Sequence, residues 1–309
     1  MTQKMQLGVE GPACSRIIAG FWRLLDWGMS GSQLLDFVHK CLDLGVTTMD
    51  HADIYGDYSC ERLFGEALTP EGTSVIPDSL RSRMQIVTKC GIRLQHSKIR
   101  PGIEHQHYDT DAAYIVSAVD ASLKNLHTDY IDVLLIHRPD VLMNADETAQ
   151  AFEQLRQNGK VRFFGVSNFT PSQVTLLQSR LSIPLVTNQI ECSVMMMDPL
   201  HDGTLDQCQE LRIAPMAWSP LAGGRLFSEE SEKASRLRSV LAAIGAEIGG
   251  YDLEQVAMAW LLRHPSGIFP VLGTGKRNRI QSAVESLGIE LTREQWFRIW
   301  SASGGTPVP

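Results

Sequence analysis

A closed barrel of eight parallel strands, each followed by a helix, is the architecture this sequence predicts. Short apolar runs rich in β-branched residues alternate with segments of helical periodicity along the whole chain, and the runs number about eight. Uninterrupted apolar runs suit strands covered on both faces, as in a parallel sheet. An open doubly wound sheet is the rival. It usually opens with a glycine-rich fingerprint, and none stands early in this chain.

The strongest strand candidates are Met84–Lys89, Ile131–Ile136, Val161–Val166, Leu185–Ile190 and Ala214–Trp218. Weaker ones are Ile17–Gly20, Val46–Asp50 and Phe269–Gly273. Helices are expected over Ser32–Leu44, Asp111–Leu126, Thr148–Asn158, Pro171–Ser179, Thr204–Leu211, Leu253–Arg263 and Arg279–Leu287. A last helix is expected over Arg293–Ala302. Thr170 before Pro171 reads as a helix N-cap with proline in the first turn, and Asp146 is expected to cap the helix after Ile131–Ile136. A hairpin over Met5–Ile18 should close the barrel bottom. The segment Ala222–Tyr251, after the seventh strand, is too long for a plain connection. It should hold an extra helix, Glu232–Ile244, within a long loop near the site. No repeat or linker interrupts the 309 residues, which are read as one domain, 1–309.

A net charge of −7 argues against a nucleic-acid partner, which needs a basic face. Six scattered cysteines without C-x-x-C spacing read as reduced thiols. The N-terminus lacks the apolar core of a signal peptide, and no apolar run is long enough to cross a bilayer. The expected address is the cytoplasm.

In such barrels the active site lies at the C-terminal strand ends. Those ends carry Asp50, then His51, Ala52, Asp53, Ile54 and Tyr55; Lys89; His137; Ser167 and Asn168; Asn188 and Gln189; and Ser219 after Trp218. Singly, each has a plain structural role available: cap, surface ring or solvated strand end. Jointly they place polar groups at one mouth of an apolar barrel. A lysine ending an apolar strand must reach solvent or pair, because a buried lone ammonium is costly, and Asp50 is a suitable partner.

The segments MDHADIYG (49–56), IVTKCG (86–91), LLIHRPD (134–140), GKVRFFGVSNF (159–169), TNQIECS (187–193) and MAWSPLAGG (216–224) resemble those of the aldo-keto reductase family. The match runs in order from about Gly20 to about Glu285. The resemblance implies a (β/α)8 (TIM) barrel and NADPH-dependent reduction of a small-molecule carbonyl by direct hydride transfer. It places the catalytic tetrad at Asp50, Tyr55, Lys89 and His137. Tyr55 would donate the proton. A free phenol has a pKa of about 10 and needs its anion stabilised to act near neutrality, which Lys89, held charged by Asp50, would supply. His137 would orient the carbonyl oxygen. The scheme requires no metal.

The resemblance further implies that Ser167, Asn168 and Gln189 bond the nicotinamide carboxamide. Trp218, where a tyrosine is usual, would stack on the ring, and Ser219, Leu221 and Gly223 would follow the pyrophosphate. VLGTGKRNRI (271–280) resembles the clamp for the adenosine phosphate, with Thr274, Lys276 and Arg279 on the phosphate and Glu285 toward the adenine. The pattern departs at Gly273, where a lysine is usual. Lys276 stands in for it, and the departure bears on preference for NADPH over NADH. Gly273-Thr-Gly275 is no dinucleotide fingerprint, since Asn278 occupies the third glycine position.

Pocket walls are expected from Phe21, Trp22, the loop Ile92–His107, Met195–Met197 and the loop Ala222–Tyr251. The three methionines equally suit core. His96, His105 and His107 read as a solvated rim loop rather than a metal site. Only a short tail follows the last helix, which suggests an open pocket and broad specificity. Two other functions stay open at this point. One is an NADPH-binding regulatory or sensor subunit with little turnover. The other is a Schiff-base lyase using Lys89 as nucleophile, against which a neighbouring carboxylate argues. The substrate and oligomeric state are not readable from the residues.

Overall fold

The structure, a computed structural model, describes residues 4–308. Eight parallel strands close into a barrel: β1 (Ile18–Gly20), β2 (Thr48–Asp50), β3 (Gln85–Cys90), β4 (Ile131–Ile136), β5 (Val161–Ser167), β6 (Leu185–Glu191), β7 (Met216–Trp218) and β8 (Phe269–Leu272). Neighbours in sequence are neighbours in the sheet, and β8 returns to β1 through Val271 opposite Ile18.

Alternation along each strand sorts the side chains. Val87 packs with Val133, Leu135, Val186, Met216 and Phe269 in the barrel interior. The intervening Cys90, Leu134 and Ile136 face the helices Ala112–Asn125 and Ala145–Gln157 outside. Two residues on from Val87, therefore, Lys89 points into the barrel, and two on from Leu135 so does His137. The expected hairpin is present as Lys4–Gln6 paired antiparallel with Ala13–Ser15. Its Leu7 and Cys14 join the interior cluster and plug the N-terminal mouth.

One strand breaks the alternation. Leu185 pairs with Phe164 but Asn188 with Val166, so β6 carries one extra residue. The bulge lets Val186 and Gln189 both face inward, although an odd spacing separates them. Asn188 turns outward instead and clamps the backbone of Phe169, donating to its carbonyl at 2.8 Å and accepting from its amide at 3.3 Å.

The helices agree with expectation except in detail. Asp146 is not a cap. Asn144 caps the helix Ala145–Gln157, accepting from the Asp146 amide at 3.1 Å, and Asp146 sits in the first turn, paired with Arg180 at 2.9 Å. The helix expected from Arg279 starts at Arg277 and ends at Glu285. A helix over Cys60–Leu68 was not expected. Its buried face includes Glu61 and Gly65 among Cys60, Phe64 and Leu68, and a charge and a glycine disguise the apolar stripe. The segment after β7 is mostly helical, with short turns over Ala222–Gly224 and Arg225–Ser228 before the helix Glu232–Glu247. Among the described residues, no helix is long and apolar enough to cross a membrane.

Candidate active site

Asp50, Tyr55, Lys89 and His137 meet at the C-terminal mouth of the barrel. Lys89 is fully buried. Its ammonium donates to both oxygens of Asp50 at 2.8 Å, to the His51 carbonyl at 2.7 Å and to the Tyr55 hydroxyl at 3.2 Å. Burial works against its charge, but the Asp50 and Tyr55 oxygens outweigh it and move its pKa upward. Tyr55 starts a kinked turn over Tyr55–Tyr58 in which Gly56, at φ 58°, takes the left-handed conformation. A Cβ on Gly56 would also stand 2.7 Å from the Cys60 sulfur and 2.8 Å from Leu25.

Burial raises the Tyr55 pKa, while Lys89 pulls it back down. The phenol is therefore protonated near neutrality, and because it accepts from Lys89, its own proton is left for the cleft. His137 is buried with its ring centroid 5.8 Å from that of Tyr55 and the rings at 76°. Burial, then the cations of Lys89 and Arg138, hold it well below the usual histidine value. It is a neutral imidazole, able to donate a hydrogen bond to an oxygen without carrying charge. Its Nδ1 has no partner.

A cleft of about 750 Å3 runs from this tetrad along Ser167, Asn168, Gln189, Trp218 and Ser219 to Thr274, Arg279 and Ser286. Its lining, which brings the Trp218 ring, several polar side chains and the Arg279 guanidinium into one cleft, offers the aromatic and cationic surfaces a dinucleotide needs. Gln189 donates to Asp50 Oδ1 at 2.8 Å, and Ser167 to the Gln189 carbonyl at 2.9 Å. Asn168 donates to Ser167 Oγ at 2.7 Å and accepts from the Trp218 indole at 2.9 Å. That chain of bonds fixes the indole plane. Leu221 and Gly223 line the middle of the cleft, where Arg23 reaches across to the Gly223 carbonyl at 3.2 Å.

Several expected residues lie elsewhere. Phe21 is no pocket wall. It is fully buried and stacks on His51 at 4.6 Å, because the chain turns inward after β1 and buries the ring against Phe64. Trp22, the next residue, does line the cleft. Lys276 is exposed at the start of the helix Arg277–Glu285 and outside the cleft lining. Glu285 is also outside it, held by Gln255 at 3.3 Å and Gln281 at 3.0 Å; Glu254 and Ser282 line that end instead. Met195 and Met197 pack in the core beside the helix Glu232–Glu247, and of the loop Ile92–His107 only Ile92 reaches the cleft. The loop Ala222–Tyr251 reaches the cleft as expected, through Gly223, Gly224 and Phe227, whereas the sequence reading missed Arg23, Arg138 and Glu254 as lining residues. Arg138 had a signal, since it adjoins His137 at a strand end; Glu254, inside a helix, had none.

The model of the aldo/keto reductase family matches residues 16–303. The chain belongs to that family. Oxidoreductase YdhF of Escherichia coli K12 is 51% identical over 309 residues, spanning all of both chains. The 6-dehydroglucose reductase of Agrobacterium fabrum is 45% identical over 298 residues, 95% of this chain and 96% of its own. Among solved structures, aldo-keto reductase AKR11C1 from Bacillus halodurans in its holo form superposes with a TM-score of 0.79 at 24% identity, covering 100% and 98% of the two chains. The glycerol dehydrogenase AKR11B4 of Gluconobacter oxydans superposes at 0.80 and 22% identity, covering 99% and 97%. Those two likenesses establish the barrel. This aldo-keto reductase chain is an oxidoreductase by its family and its sequence relatives.

Proposed function

We propose that the chain acts as a single catalytic domain that reduces aldehydes or ketones to alcohols with NADPH, Tyr55 being the proton donor. The observation that carries the reading is the Lys89 ammonium, bonded at once to Asp50 and to the Tyr55 hydroxyl at the end of the cleft. When bound, the dihydronicotinamide supplies hydride to the carbonyl carbon. Tyr55 hands its proton to the developing alkoxide, and Lys89 stabilises the phenolate left behind. Asp50 keeps Lys89 charged and in place. Neutral His137 donates to the carbonyl oxygen and orients it.

Ser167, Asn168 and Gln189 are assigned to the carboxamide, Trp218 to the ring face, and Ser219, Leu221 and Gly223 to the pyrophosphate. Thr274 and Arg279, which line the cleft, would hold the 2′-phosphate, with Lys276 as an exposed cation on the same loop, and Glu254 rather than Glu285 would face the adenine, since Glu254 lines the cleft. The six cysteines, all buried free thiols, suit a reducing compartment such as the cytoplasm. Relatives named oxidoreductase and 6-dehydroglucose reductase support turnover over a purely regulatory role.

Tyr55→Phe tests the mechanism. NADPH oxidation with an aldehyde panel should fall by roughly 10²- to 10⁴-fold, the usual worth of a positioned acid, while NADPH binding by fluorescence stays unchanged. Undiminished turnover would remove Tyr55 as the donor.

A further inference from the structure

Arg138 follows His137 directly and lines the same cleft, half-buried. Among the described residues it has no carboxylate within 4.0 Å and its side chain makes no hydrogen bond. The other arginines around β4 are engaged: Arg81 pairs with Asp132 at 2.7 Å, Arg162 with Asp132 at 3.5 Å and Arg93 with Asp109 at 2.9 Å. Arg138 lies over the Trp218 ring, its guanidinium 5.6 Å from the centroid, and its charge reaches the Glu191 carboxylate, which it does not bond. It shares the cleft lining with Tyr55 and with His137, its neighbour in sequence, and its charge is felt by both. A guanidinium offers five donors in a planar fork, and a substrate that displaces water from this half-buried one is penalised unless it brings an acceptor. No acceptor of the described chain bonds it.

We infer that Arg138 is a specificity residue that binds an oxygen-bearing substituent, hydroxyl or carboxylate, on the first two substrate carbons beyond the carbonyl. This inference rests on the reductase reading above. Purely alkyl carbonyl compounds would then be poorer substrates than oxygenated ones of equal length, since they leave the guanidinium without a partner. Trp22, Ile54 and Ile92 offer mainly apolar wall, and the other guanidinium beside them, Arg23, already donates to the Gly223 carbonyl at 3.2 Å.

The test compares wild type, Arg138→Leu and Arg138→Lys on three short aldehydes: glyceraldehyde, succinic semialdehyde and butanal. Thermal melts followed by circular dichroism verify that each variant is folded. Arg138→Leu should raise KM for the oxygenated aldehydes roughly tenfold to hundredfold more than for butanal, the worth of a hydrogen bond to a charged group, with any change in kcat common to all three. Arg138→Lys should recover part of the loss. A KM effect confined to succinic semialdehyde identifies the carboxylate as the ligand, and one confined to glyceraldehyde the hydroxyls. An equal loss on butanal overturns the inference, because Arg138 would then act only through the field it exerts on Tyr55 and His137. No NADPH oxidation by wild type with any of the three would instead sink the reductase reading and the inference with it.

Discussion

Three buried ionisable side chains crowd behind Lys89 without serving the cleft. His51 is wedged between Phe21 and Phe64 with neither ring nitrogen bonded, and burial pushes its pKa down to about 3. Glu61 is fully buried and bonded by Thr88 at 2.6 Å. Asp53 keeps one oxygen unpartnered; the other faces the Tyr114 hydroxyl at 3.4 Å and Arg100 at 4.0 Å. Burial first, then Glu61, pushes the Asp53 carboxyl up to about 8. In the unfolded chain an aspartate titrates near 3.9. The folded state therefore holds a proton that the unfolded state releases. The stability this gives is complete below pH ~4 and is lost as pH rises through about 8. Asp53→Asn removes that dependence. Thermal melts at pH 5 and pH 9 should show wild type losing more Tm on going to pH 9 than the variant does; parallel losses would mean Asp53 is ionised in the fold at both.

At the scale of elements, the N-terminal ends of β3, β4 and β5 are tied by one buried ion pair. Arg81 donates to Asp132 at 2.7 Å, to Thr128 Oγ1 at 2.8 Å and to the Tyr130 carbonyl at 2.9 Å. Asp132 also accepts from the Ile86 amide at 2.9 Å. Arg81 and Arg162 both lie over the Tyr130 ring, at 3.9 and 3.7 Å. Removing one member strands a buried charge, which costs about 3–5 kcal/mol. Asp132→Ala should lower unfolding stability in urea by that order, and Arg81→Met combined with Asp132→Leu should regain much of it. A loss below about 1 kcal/mol in Asp132→Ala would show that water already reaches the pair. The pair lies at the opposite end of the barrel from Tyr55, so kcat should be unaffected at temperatures where the variant is folded.

At the scale of the molecule, the cleft joins elements far apart in sequence, from Gly20 to Ser286. A ligand filling it bonds only the folded chain. NADPH at a hundred times its Kd should therefore stabilise the fold by about 2.7 kcal/mol. Titration followed by tryptophan fluorescence, with Trp218 and Trp22 both in the cleft, should show NADPH binding at least tenfold tighter than NADH. Comparable binding of the two would remove Thr274 and Arg279 from phosphate recognition. Binding of neither would remove the dinucleotide from the cleft altogether.

The barrel was legible from strand periodicity, since a run buried on two faces marks a parallel strand and its polar end marks the mouth, while the grouping of Asp50, Tyr55, Lys89 and His137 came from the resemblance of their segments to the family's. Asp50, Lys89 and His137 each end or follow such a run, so their inward direction is set by alternation from the apolar residues before them. The family motifs are local strings and could be read in the same way. What only the tertiary structure decided depends on contacts between distant segments. The bulge in β6 chose Gln189 over Asn188 for the interior. Packing between β1 and the helix Cys60–Leu68 took Phe21 from the pocket to the core. The cap moved from Asp146 to Asn144 where the chain leaves the loop after β4. That Arg138 bonds no acceptor among the described residues became visible only once the acceptors around it were placed, because a sequence shows which donors a chain carries but not which acceptors will surround them.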